Sequence, residues 1–265
     1  MQPKNQTIIL TGASQGIGWA TAYCLAQAGY NLVLVARDEI SLQTLAQELN
    51  HVGYRAVAIP TDMGNLAQVE RLVDKTVAIF GRIDILINNA GIGVYSPVEN
   101  LKQAEAEQVM AVNYFGPVAL IQAALPILKA NPHGGQIINI SSIIGRRAMP
   151  NMAGYCVSKA ALERMAESLR LELMTESNHV HVSTVYPGVT ATDFVPRSLG
   201  DTSSNQSSNR RKGVPAERVA RAILHTIQTK KRDVFITPTD RIFVAVSAMS
   251  PMLMDWLLFY YTRER

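Results

Sequence analysis

The stretch "TIILTGASQGIG" (7–18) runs from an apolar strand through a glycine-rich turn into a helix, and its reading decides the fold. Gly12 permits a tight turn, Gly16 lets backbone approach a ligand, and Gly18 lets the new helix pack against the turn. The first amides of a helix have no partner inside it, so such a turn can hold a pyrophosphate. A lone glycine triplet says little. Its place between strand and helix, in a βαβ unit, gives it weight. The spacing, TGxxxGxG, is one residue looser than the usual dinucleotide fingerprint.

Outward from this unit the chain alternates short apolar runs with longer helical patterns. Strand-like segments stand at 7–10, 31–36, 54–60, 83–91, 135–142, 180–187 and 233–238. Helical patterns fill 16–28, 40–51, 65–80, a long run to about 130, 153–176 and 216–229. The strands are nearly continuous Val/Ile/Leu runs, as expected of strands covered on both faces. Parallel strands need crossover helices, so the expected fold is α/β: a Rossmann-type, doubly wound, seven-stranded parallel sheet with helices on both faces. No repeat or linker divides it, and one catalytic domain is expected over 1–240, followed by an apolar extension over 241–265.

Composition bounds the function. In 265 residues, 48% are hydrophobic and 17% charged, which suits a folded globular chain and not a disordered one. Cys24 and Cys156, both in helical patterns, fit a reduced compartment, and neither they nor the scattered histidines carry metal-ligand spacing, so no metal site is expected. The net charge of +4 is spread out, with short clusters at "NRRKG" (209–213) and "KKR" (230–232). Neither interleaves aromatics as a nucleic-acid site would, so no nucleic-acid partner is expected; acidic lipid headgroups are a weak option. The N-terminus shows no apolar signal region, so a cytoplasmic protein is expected, with a further option of association with a membrane surface.

In "GYCVSKAA" (154–161), Tyr155 and Lys159 stand four residues apart and share one helix face. Alone, the octet reads as an ordinary solvated pair. A tyrosine hydroxyl titrates near 10, too high for efficient proton exchange at neutral pH, and a neighbouring ammonium would lower it. The other motifs decide. "NNAG" occupies 88–91, Asn113 lies in the long helical run, Ser142 stands 13 residues before Tyr155, and "PGVTAT" occupies 187–192. In this order, with the glycine turn and YxxxK, they resemble the classical short-chain dehydrogenase/reductase family over residues 7–192.

The resemblance implies a catalytic set of Asn113, Ser142, Tyr155 and Lys159. Tyr155 would protonate a carbonyl oxygen as hydride arrives from a nicotinamide. Lys159 would assist electrostatically and bind the nicotinamide ribose, Ser142 would hydrogen-bond the substrate oxygen, and Asn113 would support a water-linked relay to Lys159. The cofactor would be held by Gly12, Ser14, Gln15, Gly16, Ile17 and Gly18, by Arg37 and Asp62, by Asn89, Ala90 and Gly91, by Tyr155 and Lys159, and by Pro187, Gly188, Val189 and Thr192. Cys156, about 100° round the helix from Tyr155, is expected to pack inside.

The end of the second strand selects the nicotinamide. A carboxylate there would accept hydrogen bonds from a ribose 2′-hydroxyl and repel a 2′-phosphate, whereas arginine pairs with that phosphate. The sequence "LVLVARDE" presents Ala36 and Arg37, favouring NADP(H) over NAD(H); Asp38, two residues from Ala36, is the reservation.

Family ketoacyl carrier reductases end soon after the last strand, whereas this chain continues into "IFVAVSAMSPMLMDWLLFYY" (242–261). A proline and an aspartate interrupt the segment, so a broken helix serving as lid, subunit contact or membrane-surface helix is expected rather than a span. A polar, mobile substrate loop is expected over 193–213. The leading expectation is an NADPH-dependent carbonyl reductase, reversible as an alcohol dehydrogenase, acting on a small-molecule ketone or secondary alcohol, with a lipophilic one favoured. The alternatives are a membrane-associated lipid-pathway ketoreductase and a non-catalytic NADP-binding regulatory protein. Family relatives often pair through the helices at 101–130 and 153–176, which implies a homodimer or homotetramer.

Overall fold

The structure is a computed structural model and describes residues 5–132, 134–176, 179–200 and 213–263. Its strands are β1 (Thr7–Thr11), β2 (Asn31–Ala36), β3 (Ala56–Pro60), β4 (Ile85–Asn88), β5 (Val94–Tyr95), β6 (Gln136–Ile140), β7 (His181–Tyr186), β8 (Leu199–Gly200) and β9 (Asp233–Phe235). Seven of them form one sheet in the order β3-β2-β1-β4-β6-β7-β9, with every pairing parallel. The doubly wound sheet expected from the alternating runs is thus the one observed. Its order reverses at β1 and β4, and ligands of such sheets sit outside the strand carboxyl ends at that crevice.

The helices are α1 (Gly16–Gln27), α2 (Glu39–His51), α3 (Leu66–Phe80), α4 (Gln103–Met110), α5 (Gly116–Ala130), α6 (Ile143–Arg146), α7 (Ala153–Thr175), α8 (Ala216–Thr229), α9 (Pro238–Met249) and α10 (Pro251–Arg263). They cover both sheet faces, which explains why the strands are apolar throughout. Ile8 and Leu10 of β1 point to the core shared with Leu25, Leu45 and Ile223 of α1, α2 and α8. Ile9 between them points to the core shared with Leu72, Leu120 and Leu169 of α3, α5 and α7. Each such fully buried side chain contributes about 1.5–3 kcal/mol relative to exposure.

Two local expectations are corrected. The region after β4 is not one helical run: β5 and a 3-10 turn at Val98–Asn100 precede α4, because Pro97 and Gly93 interrupt the helical pattern. The loop expected to be mobile over 193–213 is tied down in its first part. Leu199 and Gly200 pair in parallel with Val94 and Tyr95, and Leu199 N donates to Gly93 O at 2.9 Å. The remainder, 201–212, with most of the "NRRKG" cluster, lies outside the described residues.

Between α4 and α5 the helix widens into a π turn at Ala111–Phe115. This places Asn113 in the interior, hydrogen-bonded to Ile92 just beyond the end of β4.

Candidate active site

The glycine turn is held in the shape its sequence implies. Gly12 has φ +68°, in the left-handed region that glycine adopts freely, and a Cβ on Gly18 would stand 2.0 Å from Gly12 O. Asn89 braces the turn from the end of β4: its Nδ2 donates to Thr11 O at 2.9 Å and to Gly12 O at 3.2 Å. Thr11 Oγ1 accepts from the amides of Asn89 and Ala90. No side chain caps the first turn of α1, and that turn holds no acid. Its amides are left for an anion.

A cavity of about 820 Å³ opens over this turn and runs along the strand ends. Its wall brings together Gly12, Ser14, Gln15, Gly16, Ile17, Gly18, Arg37, Asp62, Asn89, Ala90, Gly91, Ser142, Tyr155, Lys159, Pro187, Gly188, Val189 and Thr192. Asn113 is the exception among the expected residues: it is fully buried beneath the wall. Its Oδ1 accepts from Ile92 N at 2.8 Å, and its Nδ2 donates to Ile92 O and Ser158 Oγ. A Cβ on Gly91 would lie 3.2 Å from Lys159 Nζ and 3.3 Å from Asn113 Oδ1, so this glycine is what lets amide and ammonium approach.

Tyr155 and Lys159 project from α7 into the cavity, both buried. Lys159 Nζ donates to Ile140 O at 2.9 Å and lies 5.7 Å from the Tyr155 ring centroid. Ser142, at the start of α6, donates through Oγ to Pro187 O at 3.3 Å and accepts from Ile144 N. Burial pushes the Tyr155 phenol well above the ordinary tyrosine value, and the Ser142 hydroxyl pulls it partly back. Burial also lowers Lys159 to about 8. This differs from the expected tuning, in which the ammonium lowers the phenol. With both groups out of water, desolvation dominates and each is driven toward its neutral form. Tyr155 accordingly holds its proton at neutral pH, the state a proton donor needs.

At the far end of the cavity Arg37 is exposed on its rim. Asp38 beside it, on the same wall, caps α2: its carboxylate accepts from Ser41 N at 3.1 Å and Ser41 Oγ at 2.6 Å. Those bonds, the side-chain one foremost, hold its carboxyl below the usual range. Asp62 accepts from Gly64 N and faces the cavity, while the cap of α3 is Asn65.

Several wall residues had no signal in the sequence. Phe194 packs its ring, tilted by 57°, 5.2 Å from that of Tyr155, and Ile92, Tyr95, Ile144, Met149 and Met152 complete an apolar end. They come from three separate stretches of chain, 92–95, 144–152 and 194, brought together by the fold. Cys156 is buried, as expected of its place on α7.

The residues present fit a nicotinamide dinucleotide: an uncapped helix start for the pyrophosphate, a cation at one end and a buried tyrosine and lysine at the other. Comparison with known proteins agrees. The short chain dehydrogenase family matches residues 6–201. An uncharacterised oxidoreductase of Bacillus subtilis, YxnA, is 31% identical over 255 residues, covering 96% of this chain and 72% of its own. Among solved structures, a short-chain dehydrogenase/reductase from Burkholderia phymatum in complex with NAD superposes with a TM-score of 0.90 at 24% identity, covering 96% of both chains. A short chain dehydrogenase from Burkholderia cenocepacia in complex with NADP has a TM-score of 0.79 at 29% identity, covering 97% of this chain and 99% of its own.

Proposed function

The chain belongs to the short-chain dehydrogenase family, and we propose that it is an NADPH-dependent carbonyl reductase, reversible as an alcohol dehydrogenase, acting on an apolar ketone or secondary alcohol. The observation that carries this reading is the convergence of Ser142, Tyr155 and Lys159 at one end of a cavity whose other end holds the glycine turn and Arg37.

When bound, the nicotinamide would supply or accept the hydride. Gly12 to Gly18 and the first amides of α1 would hold the pyrophosphate, with Asn89, Ala90, Gly91 and Asp62 along the adenosine side. Pro187, Gly188, Val189 and Thr192 would flank the carboxamide. Tyr155 would give its phenolic proton to the substrate oxygen, Ser142 would donate a hydrogen bond to the same oxygen, and Lys159 would bind the ribose and favour the phenolate left behind. Asn113 would act through Lys159, which it approaches across Gly91.

Preference for NADPH is supported by Arg37, which can pair with a 2′-phosphate, and by the engagement of both Asp38 carboxylate oxygens in capping α2. The apolar substrate follows from Ile92, Tyr95, Ile144, Met149, Met152 and Phe194, which offer no charged partner. A homodimer or homotetramer is part of the reading, supported by exposed apolar side chains on the relevant helices: Phe115 beside α5, and Val157, Leu171 and Met174 on α7. The test is steady-state absorbance of the nicotinamide with NADPH and NADH against ketones from short diketones to long-chain ketoacyl compounds. Turnover with NADPH that vanishes in Tyr155→Phe supports the reading. Tight NADPH binding by a chain that reduces no member of the panel would favour a regulatory binder instead.

A further inference from the structure

The last two helices carry an apolar surface that nothing in the described residues covers. Met254 of α10 is buried. Around the rest of that helix, Met252, Leu253, Trp256, Leu257, Phe259 and Tyr260 are exposed, Met252 to 85%. At 100° per residue they sweep an arc of about 160°. Ile242, Ala245 and Met249 continue the surface along one line of α9, with Met249 at 86% exposure. Patches of such extent on a folded protein mark a binding surface.

Charge and length identify what it meets. Asp240, the one acid of α9, closes the capping box with Thr237, and Asp255, the one acid of α10, pairs with Arg147. The other charged residues within Pro238–Arg263 are Arg241 and Arg263, both cations, on a chain of net charge +4. Trp256 and Tyr260 pack edge to face, 4.7 Å apart, and such rings favour the water–lipid boundary. Neither helix can cross a bilayer: 12 and 13 residues give about 18–20 Å, short of the ~30 Å hydrocarbon core, and the chain breaks at Ser250 and Pro251. The helical stretch Gln103–Ala130 is long and apolar enough to cross, but Leu120, Ile121, Ala124 and Leu128 place it in the core. An uncovered apolar arc on short helices with cationic remainder is suited to lying in an anionic interface.

The surface adjoins the cavity. Arg147 donates to Pro251 O at 3.4 Å as well as pairing with Asp255, so the start of α10 is fastened to the segment whose Met149 and Met152 line the apolar end. We propose that α9 and α10 seat the protein on an anionic bilayer surface, with the apolar end of the cavity beside the lipid, so that its carbonyl substrate is taken from the membrane. The substrate clause rests on the reductase reading above; the docking does not.

The experiment is flotation of the full chain with phosphatidylcholine vesicles, with and without phosphatidylglycerol, for wild type, a Met252→Ser/Trp256→Ser/Phe259→Ser variant, and Ile40→Ser as an exposed-apolar control on α2. Reduction of a short soluble ketone and of a long-chain ketone carried in the vesicles is followed in parallel. Wild type and Ile40→Ser are expected to float with phosphatidylglycerol vesicles. The triple variant is expected to float at least tenfold less and to lose at least tenfold on the vesicle-borne ketone, with short-ketone turnover unchanged. The proposal is overturned if wild type does not float, if the triple variant floats equally, or if the substitutions convert a dimer to a monomer by light scattering without altering flotation, which would make the surface a contact between copies. Flotation of a chain that reduces neither ketone would overturn the reductase reading and leave the docking standing.

Discussion

Glu163 lies two helical turns beyond Tyr155 on the same face of α7, wholly buried, and its carboxylate meets the guanidinium of Arg146, four residues after Ser142. Arg146 also donates to Tyr186 Oη at 2.7 Å, and Tyr186 directly precedes Pro187, the acceptor for Ser142. One ion pair thus joins the three segments that carry the polar end of the cavity. Burial raises the Glu163 carboxyl while Arg146 and Arg164 lower it, with burial prevailing. Removing the arginine would leave a buried charge without its main partner, at a cost of about 3–5 kcal/mol. Arg146→Met is therefore expected to unfold at markedly lower urea than wild type at neutral pH. Because a raised carboxylate pKa means stability present at acid pH and lost as pH rises, the deficit should shrink on acidification as Glu163 takes up a proton. A deficit independent of pH would show that lost packing, not the unpaired buried charge, is responsible.

Tyr155→Phe keeps the ring that packs against Phe194 and removes the proposed proton donor. Turnover is expected to fall by about 10²–10⁴-fold, the range for a general acid, with NADPH affinity by fluorescence titration changed far less. Ser142→Ala removes the proposed donor to the substrate oxygen and is expected to lower kcat by about 10²–10³-fold. Unchanged kcat in either variant would remove that residue from the chemistry.

Lys159 gives a pH signature. In the ligand-free protein its folded pKa is about 8, below the ordinary 10.5, so the folded state disfavours its charge. That contribution to stability is present above the unfolded pKa and lost as pH falls through the folded one. Lys159→Met should therefore gain on wild type as pH falls from 10.5 to 8, by about 3 kcal/mol at 1.36 kcal/mol per unit. Urea denaturation across that window measures it, and parallel curves for the two proteins would refute the burial effect.

Cofactor choice is expected to turn on one side chain. If Arg37 pairs with the 2′-phosphate as proposed, Arg37→Asp removes a charged hydrogen-bond donor and adds repulsion, so the kcat/KM ratio of NADPH to NADH should fall by about 10–150-fold or more, from 1.5–3 kcal/mol. Asp38→Asn keeps a side chain able to cap α2 and should leave the ratio within about twofold. If Asp38→Asn alone shifts the ratio toward NADPH, its carboxylate reaches the ribose in solution.

The legible parts of the molecule were those in which chemistry is local. The strand, glycine turn and helix at 7–27, the Tyr155/Lys159 spacing, and Ala36–Arg37 at the end of β2 each depend on residues within one or two turns of chain. Phe194, Thr11 and the Arg146–Glu163 pair were not legible, because each acquires its role from a partner far along the chain: Phe194 from Tyr155, Thr11 from Asn89, and Arg146 from Glu163 and Tyr186. The ionisation of the central pair also escaped local reading, since spacing places an ammonium near a phenol but does not show that both are removed from water.

By itself, then, the sequence determined the doubly wound parallel sheet, the family and the identity of the polar residues around the cavity, because apolar continuity and motif spacing are properties of contiguous chain. Only the tertiary structure decided that Phe194 packs against Tyr155, that Leu199 and Gly200 pair with β5, and that α9 and α10 turn an apolar arc outward beside the cavity. Those outcomes depend on which surfaces are shielded from water by segments distant in sequence, and burial is a property of the packed whole.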